Sequence, residues 1–141
     1  MADLTKDEVK LIQDSYRGIK MQQGYLAEAF YRILFRNTPA ARELFPEEMS
    51  GQLEKFSDML DFLVNNLSTP WLFTGKIKRL GRRHVNYNAQ AEHYELLGEA
   101  LMQAIEDMAP RTLTDAEIAA WEKAYRGISS MMKDAAQINA A

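Results

Sequence analysis

The four prolines of the chain, at positions 39, 46, 70 and 110, do most to limit its architecture. Each falls between segments whose apolar residues recur at three- and four-residue spacing. Proline breaks a helix interior by removing a donor and clashing with the preceding turn, so these residues punctuate helices rather than strands. The chain reads as nearly all helix. No segment alternates apolar and polar residues as a half-buried strand would, and no repeat or low-complexity linker interrupts the pattern. Thr5 with Glu8, and Thr114 with Glu117, have the spacing of capping boxes, the first opening a helix to about Ile19. Thr38-Pro39 and Thr69-Pro70 read as caps followed by first-turn prolines, the second ahead of a long helix.

The apolar positions form stripes. One segment carries Ala27, Tyr31, Leu34 and Phe35, and the next long one Gln52, Phe56, Met59, Leu60 and Leu63. A third carries Tyr94, Leu97, Leu101 and Ile105, and the last Ile118, Trp121, Tyr125, Ile128 and Met132. Each stripe is one face of a helix, and its aliphatic members are expected to pack in the core of a bundle. Tyr31, Gln52, His84 and Tyr94 fit that account less well, because each brings a polar group to an apolar face and needs a partner there.

Composition narrows the chemistry. At 141 residues, one domain over residues 1–141 is expected. A net charge of -3, with the cations read as scattered along the chain, provides no basic field for nucleic acid. The absence of cysteine excludes disulfides, zinc ribbons, iron–sulfur clusters and a thiol nucleophile. Met1 to Thr5 lack the basic and apolar regions of a signal peptide, and no apolar run approaches the ~18 residues of a membrane span. No membrane association and a cytoplasmic location are therefore expected. Gly75-Lys76 has Pro70 where a phosphate-binding loop needs its first glycine, and GxGxxG, GxSxG and HExxH are all missing. The two histidines, His84 and His93, have no standard spacing for a mononuclear metal site.

A set of residues in fixed order carries a resemblance. They are Phe30-Tyr31 with Leu34-Phe35, then Pro39 and Leu44-Phe45, then Gln52 ahead of His84, then His93-Tyr94 with Leu97-Gly98, and Trp121 with Tyr125. Over roughly residues 5 to 135 the chain resembles bacterial single-domain globins, which are similar to the haem domain of flavohaemoglobins. The resemblance implies an all-α globin fold, with helices packed around a pocket for haem b (iron protoporphyrin IX). It also implies that His84 is the metal ligand, since one neutral imidazole nitrogen holds a five-coordinate haem and leaves the sixth position open. His93 is read as structural or surface. On the opposite side, Tyr31 and Gln52 correspond to the family's distal pair, both able to donate to a bound gas.

The same resemblance assigns Phe45 to the face of the macrocycle, Lys55 and Arg83 to its propionates, and Leu80, Val85, Leu97 and Leu101 to its proximal side. Phe56 departs from the family's usual leucine, and its larger ring is expected to narrow the pocket, slow ligand entry or displace Tyr31 and Gln52. Tyr94 matches a tyrosine that helps orient the proximal histidine together with a glutamate of the last helix. Gapless spacing from Tyr125 puts Ala136 at the glutamate's position, with Asp134 and Gln137 nearby, which implies a weaker electronic push on bound oxygen. Reversible binding of dioxygen, nitric oxide or carbon monoxide is the leading expectation, in a monomer or homodimer. The alternatives are a nitric oxide dioxygenase served by a separate reductase, and a gas-sensing or interaction module.

Overall fold

The computed structural model describes residues 4–21, 25–85 and 91–136, the side chains of His84, Val85 and Ala91 excepted. Helices α1 (Lys6–Met21) and α2 (Leu26–Asn37) lead through a 3-10 turn at Pro39–Leu44 into α3 (Ser50–Asn65). A shorter 3-10 turn at Pro70–Leu72 precedes α4 (Thr74–Val85), followed by α5 (Ala91–Met108) and α6 (Asp115–Ala135). The fold is all-α, without a strand among the described residues.

Both capping boxes form. The Thr5 amide donates to Glu8 Oε1 at 2.8 Å and the Glu8 amide to Thr5 Oγ1 at 3.1 Å, and α1 runs on to Met21, past the expected Ile19. At α6 the Thr114 amide donates to Glu117 Oε1 at 2.8 Å and the Glu117 amide returns to Thr114 Oγ1 at 3.1 Å. The Arg111 guanidinium grips the same carboxylate through bonds of 2.8 and 2.9 Å, and with the cap it holds the buried Glu117 pKa down at about 2. Because this folded-state value lies below the ordinary carboxylate range, the stabilisation is present above about pH 4.5 and is lost as pH falls toward 2. Thermal melts of Glu117→Gln are therefore expected to be less stable than wild type at pH 7, with the gap closing across that acid window. Thr114→Ala should cost about 1 kcal/mol in the same assay, the usual worth of such a cap.

Thr38 and Thr69 behave differently from expectation, since neither side chain caps the turn that follows it. Thr114 sits at ψ 161, the extended geometry that aims its hydroxyl at the next turn, whereas Thr38 and Thr69 sit at ψ 77 and 63. Their prolines open 3-10 turns, and α4 starts only at Thr74, whose hydroxyl donates to the Pro70 carbonyl at 2.9 Å.

Packing produces two apolar clusters. The larger gathers Ile12, Phe30, Ile33, Leu34, Leu101, Ile105 and Trp121, with α2 against α5 and α1 against α6. Trp121 Nε1 donates to Ser15 Oγ at 2.9 Å, which supplies the indole's polar edge with a buried partner. The smaller cluster joins Leu63, Phe73, Ile77, Tyr94 and Met132 where α4 lies on α6. That helix crossing requires Gly81, because a Cβ there would lie 2.4 Å from the Met132 carbonyl oxygen and 2.8 Å from its Cα. Backbone cannot yield as a side-chain tip can, so Gly81→Ala is expected to destabilise by about 1–3 kcal/mol, read as a lower denaturation midpoint.

Candidate functional site

Helix α2 buries Tyr31 to 5% exposure, and its hydroxyl oxygen accepts from Gln52 Nε2 of α3 at 2.9 Å. Since the glutamine donates, the hydroxyl hydrogen is left to point at a further acceptor. Burial raises the phenol's pKa, outweighing the opposite effect of the Gln52 bond, so the group stays protonated at neutral pH. The ring is fixed by aromatic neighbours: Phe30 and Phe45 meet it edge-on at 4.8 and 5.3 Å, Phe56 at 5.6 Å, and Phe35 lies tilted at 5.8 Å.

Phe56 stacks on Phe30 with centroids 4.5 Å apart and planes 10° from parallel. Phe56 thus lies against α2, beside the hydrogen bond that joins Gln52 to Tyr31. The stripe spacing of α2 leaves Phe30 out, although it stands beside Tyr31 among the residues that carry the resemblance.

The apolar stripe of α3 is only partly covered. Of its residues Leu63 and Val64 are buried, while Gln52, Leu53, Phe56, Met59 and Leu60 stay half-buried. Phe35, Phe45, Leu53, Phe56, Leu60 and Leu97 lie on the margin of the larger cluster, and Met59 and Leu80 on that of the smaller. Apolar side chains left part-covered on two adjoining cluster margins suit a flat apolar group. Lys55 on α3 and Arg83 on α4 are exposed, as cations meeting the carboxylate edge of such a group would be. His84 follows Leu80 by one helical turn in α4, in register with Ile77 and Leu80. Its side chain and that of Val85 lie outside the described residues, so their assigned roles stay expectations. The donor set of one hydroxyl–amide pair, an apolar margin and two exposed cations fits a planar apolar cofactor with anionic edges.

Tyr94 is 2% exposed within the smaller cluster, and burial raises its pKa. Its carbonyl oxygen accepts from the Tyr125 hydroxyl at 2.5 Å. A Cβ on Gly98 would stand 2.6 Å from the Tyr125 ring, so the glycine lets that tyrosine reach the start of α5. The last turns of α6 bring Ile128, Met131 and Met132 to this cluster, whereas Asp134 is exposed and Ala136 caps the helix. Among the described residues, then, the end of α6 offers methionine and isoleucine here rather than a carboxylate; Gln137 lies outside them. Leu97 is half-buried, Leu101 buried and His93 half-buried in the first turn of α5.

Residues 27–132 match the family model described as Globin. The chain is 21% identical over 134 residues to a flavohemoprotein of Vibrio cholerae, covering 93% of this chain but 34% of that protein, so it spans about a third of that relative's length. An uncharacterized globin-like protein of Aquifex aeolicus is 27% identical over 124 residues, 86% of each chain. Among solved structures, a bacterial globin from Campylobacter jejuni superposes with a TM-score of 0.81 at 24% identity, covering 94% of this chain and 96% of the other.

Proposed function

The chain belongs to the globin family, and from that premise we propose that it holds haem b and reversibly binds dioxygen and other diatomic gases, for oxygen delivery, storage or scavenging. Haem supplies a ferrous iron with one position open to a gas. His84 holds that iron through one neutral imidazole nitrogen. Phe45 packs against the macrocycle, with Phe56 beside it, while Leu80, Val85 and Leu97 line the histidine's side. Lys55 and Arg83 pair with the propionates, and Tyr94 steadies the proximal side from within the smaller cluster.

The observation that carries the reading is the bond from Gln52 to the buried Tyr31 hydroxyl. Gln52 occupies the oxygen's lone pair and so fixes the rotor, and Tyr31 delivers its hydrogen to the gas from surroundings too apolar to screen it. Dioxygen accepts such a bond better than carbon monoxide, because it takes on more negative charge when bound. The test is the visible spectrum of the purified protein, reduced with dithionite and exposed in turn to carbon monoxide and oxygen. A five-coordinate ferrous spectrum that converts to stable complexes with both gases is expected; failure to hold added haem would overturn the proposal and favour an interaction module.

Likeness to a flavohemoprotein favours a second reading, nitric oxide dioxygenase, in which oxygen and nitric oxide give nitrate and the ferric haem is reduced afresh. In this reading a reductase returns the haem to the ferrous state after each turnover. Aerobic nitric oxide consumption that depends on added reductase would establish it, and consumption no faster than with free haem would exclude it.

A further inference from the structure

Helix α4 carries Lys76, Lys78, Arg79, Arg82 and Arg83 and not a single carboxylate. The cations that look scattered along the whole chain are thus concentrated here, five of 17 in one helix of 12 residues. All five are exposed, and among the described residues no ion pair engages Lys78, Arg79 or Arg82. Just before the helix, Trp71 and Leu72 stand 72% and 56% exposed. Trp71, Thr74, Lys78 and Arg82 follow one another at helical spacing and line a concavity of about 730 Å³, closed on its far side by Ser130, Met131, Asp134 and Ala135. Among the described residues of that lining Asp134 is the one acid, against two cations.

The opposite charge gathers elsewhere. Glu95, Glu99, Glu106 and Glu122 line a groove between α5 and α6, with Arg126 as the cation among its described lining residues. A molecule of net charge -3 therefore presents a positive face along α4, and an anionic partner is steered to it by the local field rather than by the net charge. An exposed tryptophan beside unpaired lysine and arginine has the composition of a protein-binding patch, with an aromatic anchor inside a charged rim.

We propose that this face, from Trp71 along α4 to Arg82, docks an acidic one-electron-donor protein that re-reduces the haem iron. The inference rests on the haem reading above. One electron passes from the reduced donor to ferric haem, leaving the donor oxidised by one electron and the iron ferrous, with no bond made or broken. Helix α4 carries His84 at its far end, so a partner on its outer face is separated from the expected iron ligand by little more than one helix, about 10 Å across. The concave, tryptophan-walled shape favours a protrusion of a folded protein over a flat lipid surface.

The probe is a bacterial flavodoxin, a small acidic flavoprotein, used with the purified full chain. Calorimetric titration at low salt should give a complex that weakens steeply as ionic strength rises. The Lys78→Glu/Arg82→Glu variant should weaken it at least about tenfold, and Trp71→Ala should weaken it without flattening the salt dependence. Stopped-flow reduction of the ferric protein by reduced flavodoxin should slow in parallel, whereas reduction by dithionite and the carbon monoxide spectrum should match wild type, which also verifies that the variants fold. Flavodoxin binding unchanged by charge reversal or by salt would overturn the proposal. So would co-sedimentation with phosphatidylglycerol vesicles, or self-association of the basic face with the α5–α6 groove, in the absence of a flavodoxin complex. Because calorimetry reads binding with or without haem, a chain that binds flavodoxin but never holds haem refutes the gas-binding reading, whereas one that holds haem but ignores flavodoxin refutes the docking face alone.

Discussion

Replacing Tyr31 by phenylalanine is expected to accelerate dioxygen release roughly ten- to a hundredfold. A hydrogen bond to a charged acceptor is worth about 1.5–3 kcal/mol, and each 1.4 kcal/mol is about a factor of ten. The substitution removes one oxygen and keeps the ring, which Phe30, Phe35, Phe45 and Phe56 already hold in place, so the pocket's shape changes little. The consequence is confined to the ligand that accepts the bond: laser photolysis and stopped-flow exchange should show a much smaller change for carbon monoxide than for dioxygen. Gln52→Leu should act in the same direction but less, since it frees the hydroxyl rotor without deleting the donor. Equal acceleration for both gases in Tyr31→Phe would mean that the hydroxyl serves only packing, and the role given to it would fall.

How much of this was legible in the sequence depends on the range of the physics involved. Capping boxes at Thr5 and Thr114 are set within one turn, and both form as read. The stripe positions of Tyr31 and Gln52 were legible because helical period alone puts a polar group on an apolar face; their mutual bond at 2.9 Å was not, because it joins two helices. The stacking partner of Phe56 was not legible for the same reason. Its volume could be read from the residue type, but the parallel face of Phe30 on which it stacks belongs to another helix. Thr38 and Thr69 misled because a cap motif specifies residue types, while capping needs an extended ψ that tertiary structure withheld. The basic concentration on α4 was lost in a whole-chain view of charge, although the segment from Thr74 to Val85 shows it once the helix is delimited. The demand for glycine at position 81 could not be read at all, since it is imposed by the Met132 backbone across a helix crossing.

Replacing His84 by alanine is expected to abolish tight haem retention, the largest effect anticipated for any single side chain. In the proposed haem site the protein–iron bond would be the one interaction that the apolar margin of α3 and the cations Lys55 and Arg83 could not replace, since they would act on the macrocycle and its carboxylates. With only two histidines in the chain, a decisive control exists: His93→Ala, in the first turn of α5, should leave the haem in place with an unchanged ferrous spectrum. Imidazole added to His84→Ala should restore a five-coordinate ferrous haem, because it supplies the nitrogen ligand that the substitution removes. Gel filtration of haem-loaded protein, followed at the Soret band, reads all three. Loss of haem in His93→Ala but not in His84→Ala would transfer the ligand role to α5 and force a different seating of the cofactor. Loss in neither would show that iron ligation is dispensable, leaving the half-buried stripe from Leu53 to Leu60 as the feature that holds the haem.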